Sequence, residues 1–409
     1  MAQLRMRGRR HAGDGRDARD RGGPDRRDRG GPDRRDRGGP DRADRHDRHD
    51  LPQGPQDPQD SQDPQDRDGR DGRDDRDDRD GQGDRQAGGS RVPRRLRVLL
   101  ALLVIAAVVV PLTAAAARPG IPAPDPAVLA PLTAATLEQA YAANRADAAL
   151  ASRMASAHGD RHRASAERAL AAPSRRLLSF DGRGPGRVVE VLGDLAHADR
   201  VAVLVPGSDT SLDTYERFHA GAAALRQRLD RRPGAGSRTA VVAWLGYSTP
   251  GTISTTALTP ARAEEAAPGL REFLRELRTV TGAGTRVSLL CHSYGTVVCA
   301  RAASATAASD VVLLGSPGVG VESAAELHTR ARVWAARGAD DWVADVPHVS
   351  ADLFGTTVGF GADPVSPAFG ARVFAAGPGG HSDYFRPGSV ALDNIARIVL
   401  GETSEVTDA

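Results

Sequence analysis

The chain has no lysine, little cysteine and few aromatic residues. All 55 of its basic residues are arginine, and aromatic residues make up 4% of the 409. Two cysteines, Cys291 and Cys299, exclude a disulfide-rich framework and a Cys-rich zinc site, although one bridge between them stays open. Scarce aromatics argue against a surface that stacks nucleic-acid bases. The formal net charge of +2 provides no field that would attract a polyanion, so we expect no nucleic-acid partner.

Residues 1–93 lack the apolar side chains that a core needs. An octapeptide, Asp-Arg-Gly-Gly-Pro-Asp-Arg-Arg, begins at Asp20 and again at Asp28, with a near copy at Asp36. Gln-Asp-Pro and Arg-Asp-Gly series follow. Because such a segment buries too little apolar surface to offset the entropy of ordering, we predict a disordered tail. It serves as either a spacer or an interaction tail.

An uncharged stretch, Val98–Ala117, follows the arginines of segment 94–97. Twenty helical residues span ~30 Å, the thickness of a bilayer's hydrocarbon core. Arginines on the N-terminal side predict a cytoplasmic N-terminus and an exported C-terminal part. We therefore predict a transmembrane anchor over 94–117 and a single-pass protein of the cell membrane. The alternative is a signal peptide with the apolar region Val98–Val110, cleavage near Ala114–Ala117 and a secreted product.

Residues 118–176 form a linker followed by an alanine-rich segment. The linker, Pro119–Pro131, is rich in proline, and in the stretch from Ala134 to Ala172 apolar residues such as Leu137 and Tyr141 recur at helical spacing. This pattern predicts one or two helices that brace the following domain.

From residue 177 to residue 402 apolar strands alternate with helical stretches, and residues 403–409 form a short tail. This alternation, with strands that are apolar on both faces, is typical of a doubly wound and mainly parallel sheet. The predicted strands are Val188–Leu192, Val201–Val205, Ala240–Leu245, Val287–Cys291, Val311–Leu314, Val333–Ala336 and Val373–Ala376. The predicted helices are Leu212–Leu229, Ala261–Val280, Gly295–Ala307 and Ser389–Leu400.

The segment Val287–Val298 indicates a nucleophilic serine. A buried strand runs into Cys-His-Ser-Tyr-Gly, and a small, apolar helix begins directly afterwards. Small residues two positions before and after Ser293 let the strand and the helix pass closely, so that the serine projects from a sharp turn. Cys291 occupies the first small position, where glycine is usual. The alternative is an ordinary strand-to-helix turn with a serine N-cap.

An acid and a histidine come after the serine in the order that such a nucleophile elbow requires. Two similar strands, Ala331–Ala336 and Ala371–Ala376, lead into an acidic loop and into a loop with His381. An activated serine needs a base, and the base needs an orienting acid. We assign His381 as the base and Asp341 as the acid, with the adjacent Asp340 as the alternative acid.

Two backbone amides complete the predicted site. A tetrahedral oxyanion needs two N–H donors, one from the residue after the nucleophile and one from the loop after an earlier strand. These are Tyr294 and, in the turn that follows Val203–Val205, Ser208. No cluster of histidine and carboxylate residues has metal-ligand spacing, so we expect no metal and no cofactor.

Four segments resemble an exported or membrane-anchored family of high-GC Gram-positive bacteria whose function is uncharacterised. They are Arg200–Asp209, Cys291–Gly295, Gly315–Gly320 and Gly380–Phe385. The similarity extends from about Leu137 to Gly401. It implies the α/β-hydrolase fold, with a doubly wound sheet, and a Ser–Asp–His hydrolase site in which Cys291 is ordinary. It implies no substrate.

These features together predict a serine hydrolase of the esterase or lipase type that works outside the cytoplasm through an acyl-enzyme. Only a short segment separates strands Val311–Leu314 and Val333–Ala336, where cap domains are often inserted, so we expect an open pocket for a small ester or lipid-like substrate. The membrane would be contacted through the single N-terminal helix. One alternative is an acyltransferase with the same three residues. Another is a catalytically inactive, membrane-anchored interaction protein.

Overall fold

The computed structural model describes residues 120–231, 238–252, 254–348, 350–353 and 356–409. The predicted disordered tail (1–93) and the predicted membrane anchor, Val98–Ala117, lie outside the described residues. In the part that the structure describes, none of the helices combines the length and the apolar character that crossing a membrane requires.

An eight-stranded sheet forms the centre of the domain, in the order β1-β2-β4-β3-β5-β6-β7-β10. From β4 to β10 neighbouring strands run parallel, whereas β2 is antiparallel to both β1 and β4. The antiparallel strands β8 and β9 form a separate pair. The strands are β1 (Leu177–Asp181), β2 (Arg187–Gly193), β3 (Arg200–Val205), β4 (Thr239–Leu245), β5 (Arg286–His292), β6 (Asp310–Leu314), β7 (Arg332–Ala336), β8 (Ser350–Leu353), β9 (Thr356–Gly359) and β10 (Arg372–Val373).

Helices cover both faces of the sheet. They are α1 (Leu137–His158), α2 (Arg161–Leu170), α3 (Tyr215–Asp230), α4 (Ala261–Thr281), α5 (Gly295–Ala303) and α6 (Val390–Leu400). Alternate residues of a strand point to opposite faces. In β3, Val201 and Val203 join the core under α4 and α5, whereas Ala202 and Leu204 join the core under α3 and α6. Since both faces are covered, the central strands are mainly apolar.

The first two helices pack on the antiparallel end of the sheet. Asp160 caps α2 by accepting a hydrogen bond from the backbone N–H of Arg163. The buried side chain of Asn144, in α1, donates to the carbonyl oxygens of Leu177 and Leu178 at 3.1 and 2.9 Å. These bonds satisfy backbone acceptors in β1 and fix α1 to the sheet. Helices α1 and α2 together are called the brace.

A buried arginine joins the brace to the loop before α3. Arg163 is 2% exposed, and its guanidinium donates to both carboxylate oxygens of Asp213 at 2.8 and 2.9 Å. A bidentate pair of this kind fixes direction as well as distance. The brace therefore holds the turn Leu212–Thr214 that leads into α3.

The predicted alternation of strands and helices around a mainly parallel sheet is confirmed. The sequence analysis did not assign β1, a five-residue strand at the sheet edge, nor the short pair β8 and β9. The final strand is shorter than predicted: β10 ends at Val373, and Phe374 forms an antiparallel bridge with Asp408. Residues that the sequence placed in a C-terminal tail therefore pair with the chain just after β10.

Candidate active site

Ser293 lies in a sharp turn between β5 and α5. Its φ is 54°, a value that residues other than glycine rarely adopt. The surrounding structure holds this conformation, because the Ser293 N–H donates to Leu314 O at 2.9 Å and Thr296 donates through its N–H and hydroxyl to Ser293 O. This is the strand–turn–helix geometry of a nucleophile elbow.

Two glycines allow the elbow to approach the loop after β3. A Cβ added at Gly207 would lie 2.6 Å from Ser293 Cβ, and one added at Gly295 would lie 2.5 Å from Pro206 O. Neither distance is sterically tolerable. Gly295, which lies two positions after Ser293, therefore has to be glycine.

The first small position holds Cys291, which forms a disulfide with Cys299. Both residues are fully buried, and the bond joins the end of β5 to the second turn of α5. The sequence alone did not decide whether the two cysteines are bonded; in the structure they form a disulfide that spans the elbow. It links the two elements whose junction carries Ser293.

His381 and Asp341 form a hydrogen-bonded pair. His381 Nδ1 lies 2.8 Å from Asp341 Oδ1, which also accepts from the Val343 N–H at 3.0 Å. The hydroxyl of Tyr384 donates to the other carboxylate oxygen. Burial of Asp341 works to raise its pKa, but the hydrogen bonds from His381, Tyr384 and Val343 outweigh that effect and lower it. The Asp341 carboxylate that contacts His381 is therefore ionised.

The structure separates the two candidate acids. The side chain of Asp340 is exposed, and its backbone N–H donates to Gly379 O at 3.2 Å. The carboxylate of Asp341 is instead packed against Gly315, where an added Cβ would lie 2.7 Å from Oδ2. Asp341, and not Asp340, contacts His381.

His292 holds the loop that carries His381. Its Nε2 lies 2.6 Å from the His381 carbonyl oxygen, and the two ring centroids are 4.7 Å apart. Burial and the neighbouring His381 lower the pKa of His292 to about 4. A neutral ring facing a carbonyl oxygen must carry its proton on that nitrogen, so His292 donates through Nε2.

Trp342 also contacts the imidazole of His381. Its ring centroid lies 4.7 Å from that of His381, and its side chain is half exposed. The His381 ring is therefore in contact with two aromatic side chains, those of His292 and Trp342.

A pocket of about 230 Å³ is lined by Ser293, His381 and the loop after β3. In the described residues Ser293 Oγ does not hydrogen-bond to the His381 ring, although both side chains line this space. The backbone N–H groups of Ser208 and Tyr294 also have no hydrogen-bond acceptor within the described ranges. Tyr247 donates to Pro206 O at 2.7 Å and thereby fixes the strand end before Ser208.

Ser293, His381 and Ser208, which were predicted from the sequence, line this pocket, but three side chains that contact the site were not predicted. Tyr384 and Trp342 were not assigned a role, and His292 was given only as part of the motif around Ser293. His292 comes one residue before the serine, Trp342 one residue after Asp341, and Tyr384 three residues after His381. An aromatic ring this close in sequence to a predicted site residue is the signal that could have identified them. Across the described segments, no group of three or more His, Cys, Asp or Glu side chains could hold a metal ion.

Comparison with known proteins gives a family match. Residues 181–351 match a family model described as alpha/beta hydrolase. An uncharacterised protein of Mycobacterium tuberculosis is 31% identical over 253 residues, 55% of this chain and 38% of the relative. An uncharacterised protein of Mycobacterium bovis is 30% identical over 166 residues, 38% of this chain and 62% of the relative. The chain thus spans less than two thirds of either relative.

Among solved structures, an α/β serine hydrolase without a lid from Xanthomonas campestris is similar. It is 16% identical, with a TM-score of 0.36, and the match covers 56% of this chain and 95% of that one. The resemblance to an uncharacterised α/β-hydrolase family of high-GC Gram-positive bacteria is confirmed by the family match and the mycobacterial relatives, and the domain has the α/β-hydrolase fold.

Proposed function

We propose that this protein is a serine hydrolase that cleaves carboxylic esters through an acyl-enzyme. One observation carries the proposal: Ser293, held at φ 54° in an elbow, lines the same pocket as His381, whose Nδ1 is bonded to the buried carboxylate of Asp341. A structural turn would need neither the positive φ nor a buried carboxylate aimed at the histidine of a separate loop.

In the proposed reaction Ser293 Oγ attacks the ester carbonyl carbon as His381 Nε2 accepts its proton. Hydrogen bonds of this kind often form or tighten only when substrate is bound. Asp341 stays ionised and holds the imidazole with Nε2 free for the proton. His381 then gives the proton to the leaving alcohol, and a water molecule releases the acid by the same steps.

The N–H groups of Ser208 and Tyr294 are the proposed oxyanion donors. Both are free to donate among the described residues, and they lie on the two elements that Gly207 lets approach one another. Two preorganised donors in such a site lower the barrier by several kcal/mol, since removing one costs about 3 kcal/mol.

The substrate is proposed to be a small ester or a lipid-like ester. The loop 315–331 between β6 and β7, where a cap domain could be inserted, is short. A site of about 230 Å³ accommodates a short acyl chain more readily than a large polar molecule.

We further propose that the domain works outside the cytoplasm, tethered by the apolar segment Val98–Ala117. The arginines before that segment favour export of the residues C-terminal to it. The buried disulfide between Cys291 and Cys299 also supports export, because disulfides persist mainly in oxidising compartments. Protease accessibility of the domain in intact cells tests the topology, and cytoplasmic protection would contradict it.

A fluorophosphonate probe tests the catalytic proposal. The purified full-length protein should be labelled at Ser293, and Ser293→Ala should abolish both labelling and hydrolysis of 4-nitrophenyl esters. Ser382→Ala is the matched control, since that exposed serine lines the same pocket on the His381 loop. Equal labelling of Ser293→Ala would refute the assignment.

A further inference from the structure

The lining of the pocket combines apolar and charged side chains. Phe218 and Phe385 supply apolar surface, and an added Cβ at Gly221 would already lie 3.2 Å from Phe385 Cβ. Beside this apolar wall, the first turn of α3 places Arg217 in the lining. The ester pocket is therefore bounded by aromatic rings and by one guanidinium.

The guanidinium of Arg217 is unpaired in the described part of the chain. The two acids nearest to it in sequence are already engaged: Glu216 pairs with Arg175, and Asp213 pairs with the buried Arg163. Among the described residues no other carboxylate forms an ion pair with Arg217. A cation with all five N–H donors available faces the pocket.

A negative charge in the same lining limits what Arg217 would bind. The carboxylate of Asp209 also lines the pocket, and it accepts a hydrogen bond from the Thr252 N–H at 3.0 Å. Asp209 belongs to the loop after β3, whereas Arg217 lies at the N-terminal end of α3, where the helix dipole adds positive potential. A monoanion at the α3 side matches this arrangement, and a dianion would be repelled by Asp209.

We infer that the pocket selects esters that carry an ionised carboxylate, such as half-esters of dicarboxylic acids, and that Arg217 binds this carboxylate. The inference rests on the proposed ester hydrolysis at Ser293 and adds the substrate class. The planar guanidinium matches a carboxylate through two parallel hydrogen bonds, while the phenyl rings contact the methylene chain.

The experiment compares mono-4-nitrophenyl glutarate with its neutral methyl ester. For the wild-type protein kcat/KM should be about fivefold higher for the anionic ester, the size of effect that a partly exposed charge pair gives. Arg217→Gln should bring the ratio close to one, and Arg217→Lys should retain part of it. Arg231→Gln is the control, because Arg231 lies exposed at the other end of α3. The preference should also weaken at high salt.

A binding measurement separates this inference from the proposed reaction. Calorimetry on Ser293→Ala, with and without Arg217→Gln, reports affinity for both esters without turnover. Equal affinity for the two esters, or a preference that survives Arg217→Gln, would overturn the inference. The wild-type protein could instead bind the anionic ester selectively through Arg217 and hydrolyse neither ester. That result would support the inference about Arg217 and would overturn only the proposed hydrolysis.

Discussion

Replacing Glu167 with glutamine should remove a pH-dependent loss of stability from the brace. Glu167 lies in α2, is 1% exposed, and within the described residues neither of its carboxylate oxygens has a hydrogen-bond partner. Arg163 lies 3.9 Å away, but its guanidinium is bonded to Asp213. Burial raises the pKa of Glu167 from 4.5 to about 7, and Arg163 opposes this only in part.

The size of the effect depends on that pKa. The unfolded chain releases the proton near pH 4.5, whereas the folded protein keeps it up to about pH 7. The free energy of unfolding therefore falls as the pH rises through this interval, and the loss is complete above about pH 7. One pKa unit is equivalent to about 1.4 kcal/mol, so the total loss is roughly 3 kcal/mol.

Urea unfolding of the purified protein at pH 5, 6, 7 and 8 measures this loss. Glu167→Gln has no titrating group at this position, so its free energy of unfolding should gain on that of the wild type by about 2.5 kcal/mol between pH 5 and pH 8. A constant offset from the buried amide would not alter this slope. Glu138→Gln, on an exposed position of α1, is the control. A difference between Glu167→Gln and the wild type that stays flat across pH would refute the reasoning.

Two further substitutions test the geometry of the site. Gly207→Ala should lower kcat/KM by at least about tenfold and destabilise the fold by about 1–3 kcal/mol, because the new Cβ would lie 2.6 Å from Ser293 Cβ. Gly251→Ala, whose Cβ would meet nothing closer than 3.6 Å, is its control in kinetics and thermal unfolding. His292→Phe should lower kcat about tenfold with little change in KM, because it removes the donor that holds the His381 carbonyl, and His292→Gln should recover part of the loss. An unchanged kcat for His292→Phe would show that this bond does not position the base.

The sequence predicts the central strands, the elbow and the order of serine, acid and histidine, because these depend on local patterns. Continuous apolar runs indicate buried strands. The small residues two positions before and after Ser293 indicate a sharp turn, because larger side chains there would prevent the strand and the helix from passing closely. A local pattern also favours Asp341 over Asp340, because Asp341 comes just before the apolar pair Trp342-Val343. The structure gives the physical reason, since only Asp341 lies against Gly315 and Tyr384.

The supporting contacts could not be read from the sequence, because they join distant segments. The bond between His292 and the His381 carbonyl spans 89 residues, and that between Arg163 and Asp213 spans 50. The edge strand β1 was missed for a related reason, since its pairing with β2 depends on a partner and not on a long apolar run of its own.

The disulfide also bears on how the domain folds. Because Cys291 and Cys299 are eight positions apart, an oxidised chain keeps the end of β5 beside the start of α5 even when it is unfolded. The entropy of closing that turn is then lost before folding begins. We expect oxidised chains to form the β5–α5 junction early and to refold faster than reduced ones, with the difference shown by refolding in the presence and absence of a reductant.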